Sequence, residues 1–195
     1  MRELPIYKMI IDDTDLDDTE VNYVSLVDEP AIERLWHKFE DVKEFKFQAD
    51  EDRRILTGAF MIADLPIYRR DANLGEYYVV FDRDNIEKAA MKFFRKGYTS
   101  NVNFMHQDGS KIEDAFVFES FLIDESRGIS APKGFEGLPD GSWVGSVKID
   151  NKEFWKNYVA TEAVMGFSVE GLFGHELDMT EDEKVINQII KEING

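Results

Sequence analysis

The sequence predicts a mostly β, α+β fold: an antiparallel, barrel-like sheet with helices packed around it. Three observations carry this. About eight short segments alternate in polarity or are rich in aromatic and β-branched residues. Three or four stretches carry an apolar face at helical spacing. The two kinds of segment are not regularly interleaved, which argues against a doubly wound parallel sheet.

The elements follow in order. Residues 4–11 (LPIYKMII) are apolar and β-prone, and the acidic DDTDLDDTE after them is a solvated turn. That turn lacks the glycine of a calcium loop. Residues 21–27 (VNYVSLV) form a strand. Pro30 opens a helix whose stripe is Ile32, Leu35, Trp36 and Phe39, with His37 beside it. Residues 43–48 and 53–63 alternate as strands, LPIYRRD (65–71) is a proline-containing loop, and EYYVVF (76–81) is a strand. Asp82 or Asp84 caps a helix with Ile86, Ala89, Ala90, Phe93 and Phe94 on one face and Gly97 just beyond its end. NVNFM ends in the polar turn HQDGS, and residues 112–124 form a long strand. On that strand Phe116, Phe118 and Leu122 share one face, and Val117, Glu119 and Phe121 the other. Glycines and prolines punctuate a loop over 125–142. A strand over 141–149, a short helix over 151–159 and a strand over 165–174 follow. Thr180 and Glu183 form a capping box for a last amphipathic helix. The expected organisation is an N-terminal segment of strands and a short helix (1–50), a core (51–179) and a C-terminal helix (180–195).

The 195 residues include 40 acidic and 23 basic ones, a formal charge of −17. A field of that sign disfavours nucleic acid and anionic membranes as partners and favours basic ones. No segment is long and apolar enough to span a bilayer, and charges interrupt the first residues where a signal peptide would have its apolar run. A soluble, non-exported protein is expected. With no cysteine, thiolate metal sites, disulfides and a cysteine nucleophile are excluded. No glycine-rich nucleotide loop and no HExxH occurs. The three histidines (37, 106 and 175) are not paired at helical spacing. Neither a cofactor nor a metal is expected.

Few side chains remain for chemistry. His106, at a strand end beside a turn, suits either a cleft or a simple strand cap. Ser168 in GFSVEG lies within a strand, not in the strand-turn-helix setting of a hydrolase elbow. Glu119 lies among apolar strand neighbours and needs solvent or a partner. Glu170, two residues after Ser168, shares its face. His175 follows Gly174 and is placed to orient another histidine.

The order of motifs goes further. VSLVDEPAI, GAFMIADLPIYRRD, EYYVVF, a helix ending in FFRKG, NVNFMHQDG, VFESFLID, LPDGSWVGSVKIDNKEFW and GFSVEG succeed one another over residues 21–173. The series resembles the XkdF-like phage serine protease family, a branch of the prohead maturation proteases. The resemblance implies a fold like that of the herpesvirus assembly protease, with serine and histidine on strands. It implies Ser168 as nucleophile and His106 as general base and acid. Glu119 is the third member expected, with Glu170 and His175 as alternatives. It makes residues 51–179 a protease core, and scaffold and major capsid subunits the substrates. The expected setting is the immature prohead in the host cytoplasm, with a homodimer as an open alternative to the monomer. The loop over 125–142 is expected to wall the substrate cleft, and VSLVDEPA to be a docking strand or a processing site. The rival expectation is a structural virion protein that keeps the fold without activity.

Overall fold

The computed structural model describes residues 4–15, 18–28, 46–72, 74–107 and 109–177. The helix expected after Pro30, with His37, and the helix expected over 180–195 lie outside the described residues.

The first sheet holds β1 (Ile6–Ile10), β5 (Ile67–Asp71), β6 (Gly75–Val80) and β11 (Gly174–Leu177), in the order β11-β1-β6-β5. The second holds β2 (Glu20–Val27), β7 (Val102–Phe104) and β10 (Gly166–Leu172), in the order β10-β2-β7. The third holds β3 (Gln48–Asp50), β4 (Ile55–Met61), β8 (Ala115–Leu122) and β9 (Trp143–Ile149), in the order β3-β4-β9-β8. Helix α1 (Arg83–Arg95) joins β6 to β7, and α2 (Lys152–Phe154) widens into a π turn over Trp155–Val159.

These are open sheets, and among the described residues no closed barrel forms. That corrects the barrel-like expectation. The pairing is also mixed, because β1 runs parallel to β6 and β2 parallel to β7. Residues 67–71, expected as loop, are strand β5 paired antiparallel with β6. Pro66 stands just before the strand, where its missing N–H costs no ladder bond.

The three sheets share one core. Leu26 and Val24 of β2 meet Phe167 of β10, Phe60 of β4, Trp143 of β9, and Ile86, Ala89 and Phe93 of α1. The Phe60 ring stands edge-on to Trp143 at 5.2 Å and to Phe167 at 5.0 Å. Asp82 caps α1 by accepting from the Asn85 backbone N–H, and Gly97 takes the left-handed conformation past its end. Phe94 departs from the expected stripe and is 41% exposed. On β8 Phe116 and Phe118 share the exposed face, and the register shift between Val117 and Glu119 then breaks the alternation, so that Glu119 is exposed as well as Phe118. The loop over 125–142 sends Phe135 and Leu138 into a small satellite core with Ile62, Ile123 and Val144.

Candidate active site

β2 is the central strand of its sheet, and its two faces differ in character. Val24 and Leu26 face the core, opposite Val169 and Phe167 of β10. Ser25 faces the other way, directly opposite Ser168 on β10 and beside Asn103 on β7. The alternation of a strand therefore collects Ser25, Ser168, Glu170 and Asn103 on one face of three adjacent strands. Gly171 follows Glu170 at a register shift, where an added Cβ would lie 1.9 Å from the Glu20 carbonyl oxygen. No side chain fits there.

His106 reaches this face from the turn after β7. The Met105 backbone N–H donates to the Leu26 carbonyl at 3.0 Å, which ties the turn to β2. Ser110 Oγ closes the turn by donating to the Phe104 carbonyl at 2.8 Å. Met105 and His106 both have positive φ, 56° and 53°. Two successive non-glycine residues in the left-handed region cost of order 1–3 kcal/mol each. The turn holds them there and projects the imidazole over β2. Beneath the turn, the Phe104 ring packs on Phe154 and Tyr158, at 5.7 and 4.6 Å between centroids.

His106 Nδ1 lies 2.9 Å from Ser25 Oγ and 3.4 Å from Glu170 Oε2. Asn103 Nδ2 donates to the same Glu170 oxygen at 2.8 Å. We assign the proton to Nδ1, because a bare lone pair there would face a carboxylate. Nε2 then carries the lone pair, the form a general base needs. Glu170 and His106 are each a little over one-third exposed at the side chain, whereas Ser25 is fully buried. Ser168 is partly exposed and borders an apolar cavity of about 190 Å³. Asn103 is 4% exposed, and its Oδ1 is buried without a hydrogen-bond partner.

The structure thus brings His106 and Glu170 into contact and sets Ser168 one strand spacing from Ser25, the serine that His106 touches. Facing pairs across antiparallel strands have Cβ atoms about 4.5–5.5 Å apart. Ser168 therefore shares the sheet face over which the imidazole lies, while the hydroxyl that His106 touches is that of Ser25.

Glu119 is not part of this group. It lies on β8, in the third sheet, paired with Ser146 of β9, and its charge acts on Arg53. The bulge beside it turns it to solvent, which removes the need for a buried partner. His175 pairs with Met9 across β11 and β1, and its ring meets Tyr7 edge-on at 5.7 Å. No residue of the 125–142 loop is among those lining the cavity beside Ser168. That loop's apolar side chains are engaged in the satellite core instead.

Sequence reasoning missed Ser25 and Asn103. Both are polar residues within short strands that are otherwise apolar or alternating, and that break in the pattern was the available signal. Among the described residues, no cluster of acidic residues and histidines could hold a metal ion. No helix there is long and apolar enough to cross a membrane.

The family model described as "Putative phage serine protease XkdF" matches residues 41–176, and the chain belongs to that family. The description puts the chain, at the coarse level, among phage hydrolases of the serine protease kind. His106, Ser168, Glu170 and Asn103 lie inside the match, and Ser25 lies before it. No curated protein and no solved structure matches the chain.

Proposed function

We propose that the chain is a prohead maturation protease, a serine endopeptidase that cleaves scaffold and major capsid subunits inside the immature phage head in the host cytoplasm. The observation that carries the reading is the contact of His106 with Glu170 on the sheet face that also presents a partly exposed serine, Ser168. The family description supports a serine protease of phage origin. The likeness to the herpesvirus assembly protease stays part of this proposal, supported by a mostly β fold with its serine on a strand. The charge of −17 favours basic segments of the partner subunits.

In this mechanism Ser168 Oγ attacks the peptide carbonyl and passes its proton to His106 Nε2. The tetrahedral intermediate collapses as Nε2 returns that proton to the leaving amine, and water then releases the acyl group by the same relay. Glu170 keeps Nδ1 protonated and stabilises the imidazolium. Asn103 holds the Glu170 oxygen in place.

A second reading has a specific observation behind it. Ser25 Oγ, not Ser168, is the hydroxyl within hydrogen-bond reach of His106. Its complete burial argues against it, since no peptide carbonyl reaches a hydroxyl with no accessible surface. Co-expression with the scaffold and capsid proteins of the same phage tests both. Cleavage is expected with the parent chain and none with Ser168→Ala, in a variant that still melts cooperatively. Undiminished cleavage by Ser168→Ala, with loss in Ser25→Ala, would transfer the role to Ser25.

A further inference from the structure

The first sheet has two unlike faces. Pairing sets Leu177 of β11 beside Tyr7 of β1, Tyr7 beside Val79 of β6, and Val79 beside Ile67 of β5. Paired residues share a face, and alternation adds Met9 and Tyr77 to it. The Tyr7 and Tyr77 rings meet edge-on at 5.5 Å. The opposite face pairs Lys8 with Glu176 and Arg70 with Glu76 across the same strands. One face is thus apolar and aromatic, the other charged.

A sheet buries its apolar face against a second layer, and among the described residues that cover is incomplete. Met9, Ile67 and Val79 wall a cavity of about 190 Å³ whose far side includes Phe60 and Phe167. Tyr77 and the exposed Arg69 also line it, so it reaches the surface there. Tyr7, Tyr77 and Ile67 are only half-buried, and Leu177 is 40% exposed. Leu177 is the last residue of β11, and residues 178–195 follow it in the sequence. These carry the capping box of Thr180 and Glu183 and the stripe Val185, Ile186, Ile189, Ile190 and Ile193.

We propose that residues 180–195 lie as a helix across the apolar face of the first sheet and close the mouth of this cavity with the isoleucine stripe. The links from Leu177 to Thr180 extend to about 10 Å, the separation at which a layer packs on a sheet. Four strands span three spacings, about 14 Å, and a helix over 180–195 is about 24 Å long. It therefore crosses the whole sheet. A helix that starts over β11 ends over β5, where Glu192 meets the basic Arg69. The docking is independent of the chemistry at Ser168.

The chain has no cysteine, so introduced cysteines report contact without background. Tyr77→Cys, combined in the full chain with Ile186→Cys or with Ile190→Cys, is expected to form an intramolecular disulfide in at least one of the two pairs. Glu76→Cys, on the charged face, is expected to form one with neither. Tyr7→Cys takes the place of Tyr77→Cys should that variant fail to melt cooperatively. Hydrogen exchange on the parent chain gives a second readout. Amides over 184–193 are expected to exchange ~100-fold or more slowly than in a free chain, because an undocked helix of this length is marginal in water. Ile186→Asp with Ile190→Asp is expected to return them to the free-chain rate while α1 stays protected. A disulfide that joins two chains would give the face to a second copy and overturn docking within the chain. No disulfide from the apolar face, equal cross-linking from Glu76→Cys, or free-chain exchange over 184–193 in the parent overturns the docking outright.

Discussion

At His106 the backbone and the chemistry are linked. A histidine in the left-handed region, following a methionine in the same region, is held by the Met105–Leu26 hydrogen bond and by the Ser110 closure of the turn. The sequence located this histidine at a strand end but not its acid, because the choice between Glu119 and Glu170 depends on which sheet each strand joins. Glu170 was legible only as a face-mate of Ser168, two residues away on one strand. Its contact with His106 spans 64 residues. Glu170→Gln is expected to lower turnover by ~10²–10⁴ while the protein stays folded, as loss of the orienting acid does in other triads. Glu119→Gln is expected to keep the parent rate and change stability by no more than ~0.5 kcal/mol. Cleavage rates and melting temperatures of the two variants check this, and a parent rate for Glu170→Gln would leave a Ser-His dyad. Ser25→Ala removes one hydrogen bond to the imidazole. On the scale of about 1 kcal/mol for such a bond, turnover is expected to fall ~5–10-fold, against complete loss for Ser168→Ala.

At the scale of elements, α1 was the most legible part of the chain. Its capping aspartate, its apolar stripe and its terminal glycine are all local signals, and each appears in the structure apart from the exposure of Phe94. Long-range ties were not legible. Lys92 is 3% exposed, and its Nζ donates to the carbonyls of Asp12 and Asp15 at 2.7 Å each and to that of Thr19. The acidic turn expected after β1 thus wraps around a buried ammonium from a helix about 75 residues away in sequence, on the order of a whole domain. Asp82 makes a comparable tie, capping α1 and pairing with Lys8 of β1. Burial pushes the Asp82 carboxyl upward, but the Lys8 ammonium and the Asn85 backbone and side-chain donors outweigh it and hold it below the ordinary value. A carboxyl depressed by folding contributes stability above the unfolded value of about 4, and that contribution is lost as pH falls through its folded value. Asp82→Ala is expected to cost about 1–2 kcal/mol at pH 7 through the lost cap, a drop of roughly 2–8 °C in Tm. Asp82→Asn, which still caps, is expected to lose only the charge-dependent part. The difference in Tm between Asp82→Asn and the parent should shrink from pH 5 to pH 2, and a pH-independent difference would contradict the Lys8 pairing.

For the whole molecule, the order of strands in space is what the sequence least revealed. Antiparallel neighbours joined by short connections, such as β5 and β6, leave a local signature even where Pro66 disguised one of them. The parallel pairs β1–β6 and β2–β7 do not, because each joins strands separated by most of the N-terminal half of the chain. The same pairings set β1 and β2 inside their sheets. β1 lies between β11 and β6, and β2 between β10 and β7. A segment that reads as a docking or processed piece therefore supplies the central strand under the candidate site. Val21, Val24, Leu26 and Val27 of β2 are no more than 4% exposed. At about 1.5–3 kcal/mol for each buried side chain, their loss amounts to ~6–12 kcal/mol, comparable to the whole stability of an ordinary domain at about 5–15 kcal/mol. Deletion of residues 1–28 is thus expected to abolish cooperative thermal unfolding along with cleavage, and calorimetry with the co-expression assay reads both. A truncated chain that melts cooperatively and still cleaves in a Ser168-dependent manner would mean that β10 and β7 hold the site without β2, and that the Ser25 contact with His106 is dispensable.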